Sequence, residues 1–190
     1  MPRIPLFPSQ DMSTEQRAVL DKIISGPRGK IQGPLRAALH NAELAEKWQA
    51  LGAILRYETS LPPRLSELAI LITGRACNSA FEWYAHRIEA EKAGIEPHIL
   101  EALLAQQEPP GMSEDDAVIW RYATELNRYK SVSDATHAAV VRRFGVRTVV
   151  ELTALVGYYT MVAMTLNCHE VPLPDGVAPA FALPQQGEIA

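Results

Sequence analysis

The sequence predicts an all-α domain, and three observations carry that expectation. The fourteen prolines of the 190-residue chain leave residues 35–61, 64–96 and 111–171 free of them. Proline costs about 3 kcal/mol inside a helix, so these intervals are where helices can run. Within them apolar residues recur at helical spacing, and nowhere do polar and apolar residues alternate for more than a few positions, as a half-buried strand requires. A hydrophobic share of 47% with 21% charged residues completes the picture of an ordinary globular chain. A disordered chain would combine low hydrophobicity with a large net charge.

The elements follow in order. Residues 1–34 read as an N-terminal arm with a short helix. Residues 1–8 carry one charge and three prolines, without the apolar stretch or small-residue cleavage site of a secretion signal. A helical domain is expected over residues 35–170. It opens with a short turn of helix at 35–40, then a longer helix at 41–57 with Leu44, Trp48, Leu51 and Leu55 in one apolar stripe. Pro62 and Pro63 suit the first turn of the next helix, which is apolar on nearly every side. Ser113 with Glu114, Asp115 and Asp116 opens another, placing acidic residues at the positive end of the helix dipole. A break at Lys130 to Ser133 and a pause at Gly145 precede an uncharged helix around residues 152–166. That run is shorter than the roughly 18–20 apolar residues that span a bilayer, so burial inside the domain or between subunits is expected rather than a membrane span. The count is about eight helices. Residues 171–190, with Pro172, Pro174, Gly176, Pro179 and Pro184, read as an extended C-terminal tail over the domain or a neighbouring subunit.

Charge and cysteine content narrow the function. Eighteen basic against twenty-two acidic residues give a net charge of −4, with no basic stripe to attract a phosphate backbone, so nucleic acid is not an expected partner. Cys77 and Cys168 cannot form a disulfide framework and match no zinc spacing, which suits a reducing, cytoplasmic setting.

The chemistry concentrates between Glu67 and His86. Glu67 stands among Leu65, Leu68, Ala69, Ile70 and Leu71, so its carboxylate is either an exposed first-turn acid or partly buried with a raised pKa. Ser79 and Glu82 spell the S-x-x-E of a capping box, in which serine and glutamate each satisfy a free helix-end amide. Glu82 and His86 then share one helix face, where the glutamate can hold one imidazole nitrogen and leave the other for a substrate. A solvent-facing pair is the alternative. No H-E-x-x-H occurs, and His40, His98, His137 and His169 are scattered singly, so no metal site is expected.

The spacing of Glu67, Ser79, Glu82 and His86 resembles that of the carboxymuconolactone decarboxylase family, which shares its helical fold with alkylhydroperoxidase D. The thiol enzymes of that fold have a glutamate, a C-x-x-C and a histidine four residues on. Here Ser79 and Glu82 occupy the two cysteine positions. The decarboxylase branch carries E-L on one helix and E-W followed by H on the next, read here as Glu67-Leu68 and Glu82-Trp83 with His86. The segment Val171 to Gly176 also looks like the end of a long-chain subgroup. The resemblance covers roughly residues 35 to 176. It implies an AhpD-like bundle, a cofactor-free site and a homo-oligomer, a trimer or hexamer, with sites near subunit contacts.

The resemblance further implies acid–base chemistry on a small unsaturated or lactone carboxylate. Decarboxylation of a carboxymuconolactone-type compound gives a dienolate that must be stabilised at oxygen and protonated at carbon. His86 would supply the proton, Glu82 would orient it, and Glu67 would relay or guide. Ser79 would donate a hydrogen bond, and Phe81 and Trp83 would line the site and exclude water. A carboxylate should also meet a cation. Arg56, Arg64 and Arg75 flank the two helices, with Arg64 taken as the clamp. Two other readings compete: a thiol-dependent peroxidase of the same fold, and a non-catalytic oligomer whose polar quartet only caps helices. Disulfide chemistry needs an attacking and a resolving thiol, and Cys77 is out of register while Cys168 is distant in sequence.

Overall fold

Local sequence signals set most of the helix ends. The computed structural model describes residues 1–183, which form eight helices and no strand. The helices are α1 (Thr14–Ser25), α2 (Leu35–Ala38), α3 (Ala42–Tyr57), α4 (Pro63–Ala76), α5 (Ala80–Lys92), α6 (Pro97–Leu104), α7 (Glu114–Tyr129) and α8 (Asp134–Cys168). Ser13 and Gln16 cap α1 reciprocally, Ser113 and Asp116 do the same for α7, and Asn41 and Ser133 cap α3 and α8. Lys130 closes α7 in the left-handed conformation, and Gly145, at φ +88°, interrupts α8.

At the centre stands α4, packed by α5, α6, α7 and α8. Leu68, Ala69, Ile70 and Leu71 are buried in succession, because neighbours cover every side of this helix. Each fully buried leucine or isoleucine contributes about 1.5–3 kcal/mol. The N-terminal arm is part of the same core: Phe7, Met12, Val19 and Ile23 are buried within it, and α1 packs on α3. The tail also lies over its own domain. Val171 is buried, and Phe181 sits edge-on to Trp83, ring centroids 6.5 Å apart, beneath the Arg75 guanidinium at 4.3 Å. The expected tail continues through 184–190, outside the described residues.

One expectation about packing needs correction. The inward face of α3 is Ala45, Trp48, Gly52 and Leu55, whereas Leu44 and Leu51 are 49% and 45% exposed. Small residues let α3 approach its neighbours closely, so the largest side chains do not mark its core edge. At Gly52 a Cβ would land on Tyr158 Oη and Arg28 Nη2. On the apolar end of α8, Leu152, Leu155, Val156, Val162 and Leu166 face the core, while Val146, Val150, Met161 and Met164 are exposed on the single chain. Among the described residues α8 is the one helix long and apolar enough to cross a membrane. Half of that stretch is buried within the domain.

Candidate active site

A tight turn brings the two motif helices together. After Cys77 ends α4, Asn78 adopts φ +50° and Ser79 N–H donates to the Gly74 carbonyl at 2.8 Å, reversing the chain into α5. Gly74 lets the helices pack closely, since a Cβ there would come within 3.0 Å of Glu82 Cβ. Residues 67 and 86 lie at similar distances from the turn and therefore meet across the hairpin.

Glu67 and Glu82 flank the His86 ring. His86 Nδ1 hydrogen bonds Glu67 Oε2 at 2.7 Å, and Nε2 lies 3.4 Å from Glu82 Oε2. The Tyr159 ring stands edge-on to the imidazole, centroids 4.9 Å apart. All three polar residues are buried, with 7%, 3% and 5% exposure for Glu67, Glu82 and His86. Glu82 Oε2 has no hydrogen-bond partner, which is unusual for a buried oxygen. Burial pushes the Glu82 carboxyl above its ordinary range, partly opposed by the His86 and Arg56 charges. It also raises the Tyr159 hydroxyl well above the usual phenol range, and Tyr158 more modestly, against the pull of Arg28. Arg56 loses hydration to burial, but Tyr159, Tyr57, Glu67 and Glu89 outweigh that loss and hold its charge.

Two cavities meet at this group. A narrow hollow of about 80 Å³ is lined by His86, Glu82, Arg28, Phe81, Tyr158 and Tyr159. A wider one of about 450 Å³ is lined by Glu67, Tyr57, Ser66 and Lys92. Arg56 and Glu89 border both. The acid–imidazole–acid chain thus runs from one cavity to the other.

Glu67, Glu82 and His86 therefore come together as the spacing suggested, but with roles rearranged. Glu67, not Glu82, makes the close contact that fixes the imidazole. No capping box forms at α5: the Ser79 hydroxyl caps nothing and is buried without a partner, because Glu82 is turned inward to His86. Ser79 does not line the narrow hollow. Trp83 does not line it either; it is 1% exposed and packs beneath the tail against Phe181. Arg64, expected as the clamp, is committed elsewhere. Its Nε and Nη2 donate to Asp116 at 3.1 and 3.0 Å, Nη2 also reaches Glu96 at 2.7 Å, and Nη1 reaches the Gly94 carbonyl. Arg75 donates to the Leu104 carbonyl and to Asn78. Of the three flanking arginines, only Arg56 borders the hollow.

Arg28, Tyr158 and Tyr159 were missed. The tyrosine pair was visible as two polar-tipped rings in an otherwise apolar helix, a signal absorbed by the packing reading. Arg28 gave no signal, because it reaches the site from the segment joining α1 to α2.

Comparison with known proteins agrees with this architecture. Residues 42–125 match the model of the carboxymuconolactone decarboxylase family. No curated protein matches the chain in sequence. Among solved structures, an uncharacterized peroxidase-related protein from Ralstonia eutropha JMP134, described as an alkylhydroperoxidase AhpD core, superposes with a TM-score of 0.75 at 13% identity, covering 92% of this chain and 93% of its own. A peroxidase-related protein from Silicibacter sp. TM1040 gives 0.73 at 15% identity, covering 90% and 91%. The debrominase Bmp8, solved with 2,3,4-tribromopyrrole, gives 0.73 at 11% identity, covering 92% and 94%. Residues 42–125, which hold Glu67, Glu82 and His86, are thus similar to the carboxymuconolactone decarboxylase family, and the chain has an AhpD-like helical fold.

Proposed function

We propose that the chain is a cofactor-independent acid–base enzyme acting on a small unsaturated or lactone carboxylate, by decarboxylation of a carboxymuconolactone-type compound through a dienolate. The observation that carries this reading is the buried Glu67–His86–Glu82 chain beside a hollow bordered by two guanidinium groups. In the proposed step the bond to the departing carboxylate breaks, carbon dioxide leaves, and the electron pair enters the dienolate. Arg28 and Arg56 hold the anionic substrate, and the neutral hydroxyls of Tyr158 and Tyr159 hydrogen bond the developing oxyanion. His86 as imidazolium delivers its Nε2 proton to carbon, a contribution of about 10²- to 10⁴-fold. Glu67 accepts the Nδ1–H hydrogen bond throughout and stabilises the imidazolium, and Nε2 regains its proton from solvent through the hollow once the product has left. Glu82 holds Nε2–H towards the hollow.

The hollow, about 80 Å³, is smaller than the roughly 300–1,000 Å³ of ordinary ligand sites, so the proposal requires its wall to open for a ring substrate. A debrominase of the same fold, solved with a bromopyrrole, lends support to chemistry on small unsaturated rings. The reading includes a homo-oligomer of three or six copies, supported by the exposed apolar side chains of α8, with light scattering as its measurement. The thiol reading has less support, because burial pushes the Cys77 thiol up and away from the reactive thiolate.

The test is carbon dioxide release from a panel of lactone and unsaturated carboxylates, with the wild type and a Cys77→Ser, Cys168→Ser double variant. Turnover that survives cysteine removal supports the proposal. Absence of decarboxylation, isomerisation and hydration across the panel overturns it.

A further inference from the structure

A third cavity, away from His86, has the chemistry of a ligand site. About 420 Å³ in volume, it lies where α4, α6 and α7 meet, within the range of small-molecule sites. Ile72, Leu103 and Trp120 supply apolar surface, and Arg75 and Arg128 supply two cations. No aspartate or glutamate lines it, and among the described residues no carboxylate pairs with either arginine.

The Arg75 guanidinium is held in place before any ligand arrives. Nε donates to the Leu104 carbonyl at 2.8 Å, Nη1 donates to Asn78 Oδ1 at 2.7 Å, and the Phe181 ring stacks below at 4.3 Å. Nη2 keeps both its hydrogens for another acceptor. Burial draws the Arg75 pKa down with no opposing anion nearby, so a bound carboxylate would replace lost hydration. Asn127 spends its amide hydrogens on Thr73 Oγ1 at 3.0 Å and the Ala123 carbonyl at 2.8 Å, which leaves its Oδ1 as an acceptor. A fixed cation, an indole and an acceptor for a hydroxyl thus border the same space.

We propose that the cavity between α4, α6 and α7 binds a planar aromatic hydroxy acid, its carboxylate on Arg75 and Arg128, its ring on Trp120 and its hydroxyl on Asn127. This site is independent of the His86 chemistry. Fixing the cation in advance removes part of the ordering cost of binding, and a guanidinium matches a carboxylate in shape as well as charge.

The test is titration calorimetry with 4-hydroxybenzoate, with uncharged 4-hydroxybenzamide as control. Wild type should bind the acid saturably at one site, at least tenfold more tightly than the amide. Arg75→Gln should weaken the acid at least tenfold. Arg128→Gln, at an exposed position that leaves the core untouched, should weaken it several-fold. His86→Gln, which alters the other site, should bind as the wild type does. Binding lost in His86→Gln but kept in both arginine variants would place the molecule in the narrow hollow and overturn the proposal. So would equal affinity for acid and amide, or no saturable binding of the acid.

Discussion

Two polar clusters hang from α4 about one turn apart, and they are built by opposite rules. Around Arg64 the charges are matched: the guanidinium bonds Asp116, Glu96 and the Gly94 carbonyl, and Asp116 also caps α7 through Ser113. Asp116 raises the Arg64 pKa. Burial alone would raise the Asp116 carboxyl, but Arg64 and Ser113 outweigh it and hold that carboxyl below its usual range. Around His86 the matching stops short. Glu67 is bonded, but Glu82 Oε2 and Arg28 Nε are buried without hydrogen-bond partners. The first cluster is satisfied without any visitor and serves to lock α4 to α7. The second leaves buried groups that a visitor could pair, as the proposed site requires.

Breaking the closed cluster should have the larger effect on stability. Asp116→Ala removes two of the four Arg64 hydrogen bonds and the carboxylate half of the α7 capping box, leaving Glu96, the Gly94 carbonyl and the Ser113 hydroxyl in place, so chemical denaturation should show a loss of about 2–4 kcal/mol. Turnover per folded molecule should stay near wild type. Gly52→Ala tests the open cluster from behind. Its methyl would push into Tyr158 Oη and Arg28, costing about 1–3 kcal/mol and lowering turnover, because both groups line the hollow.

The sign of the pH response separates the clusters further. Glu82 has a folded-state pKa above its ordinary 4.5. Its neutral form favours the fold below that value, and this advantage is lost as pH rises through the raised folded value. Glu82→Gln should therefore stabilise the protein near neutral pH by about 0.5–2 kcal/mol, with the gain shrinking towards pH 4 in thermal scans. Asp116 behaves oppositely. Its contribution is present above its ordinary 3.8 and is lost as pH falls through its lowered folded value. The smallest effect belongs to Glu96→Gln, where the carboxylate on Arg64 is half exposed, and equilibrium unfolding should register under about 1 kcal/mol.

How far the sequence revealed each cluster follows from the range of the interactions. Proline spacing, the cap at Ser113, and the breaks at Lys130 to Ser133 and at Gly145 are local signals, and they located the helices closely. Glu67, Glu82 and His86 were legible because a hairpin turn relates them across a short loop. The exchange of roles between Glu67 and Glu82 was not, since S-x-x-E is locally a capping box and only burial turns Glu82 inward. Arg64 was misread for the same reason: its partners Asp116 and Glu96 are distant in sequence and leave no local trace. Arg28 and the tyrosines reach the hollow from the α1–α2 segment and from α8, contacts that only the packed fold creates.

The central claim is that the imidazole between the two carboxylates carries the proton, and His86→Gln tests it most directly. Measured as carbon dioxide release on a substrate turned over by the wild type, the variant should be slower by about 10²- to 10⁴-fold, with its melting temperature little changed. A variant that folds normally and releases carbon dioxide at the wild-type rate would contradict the account.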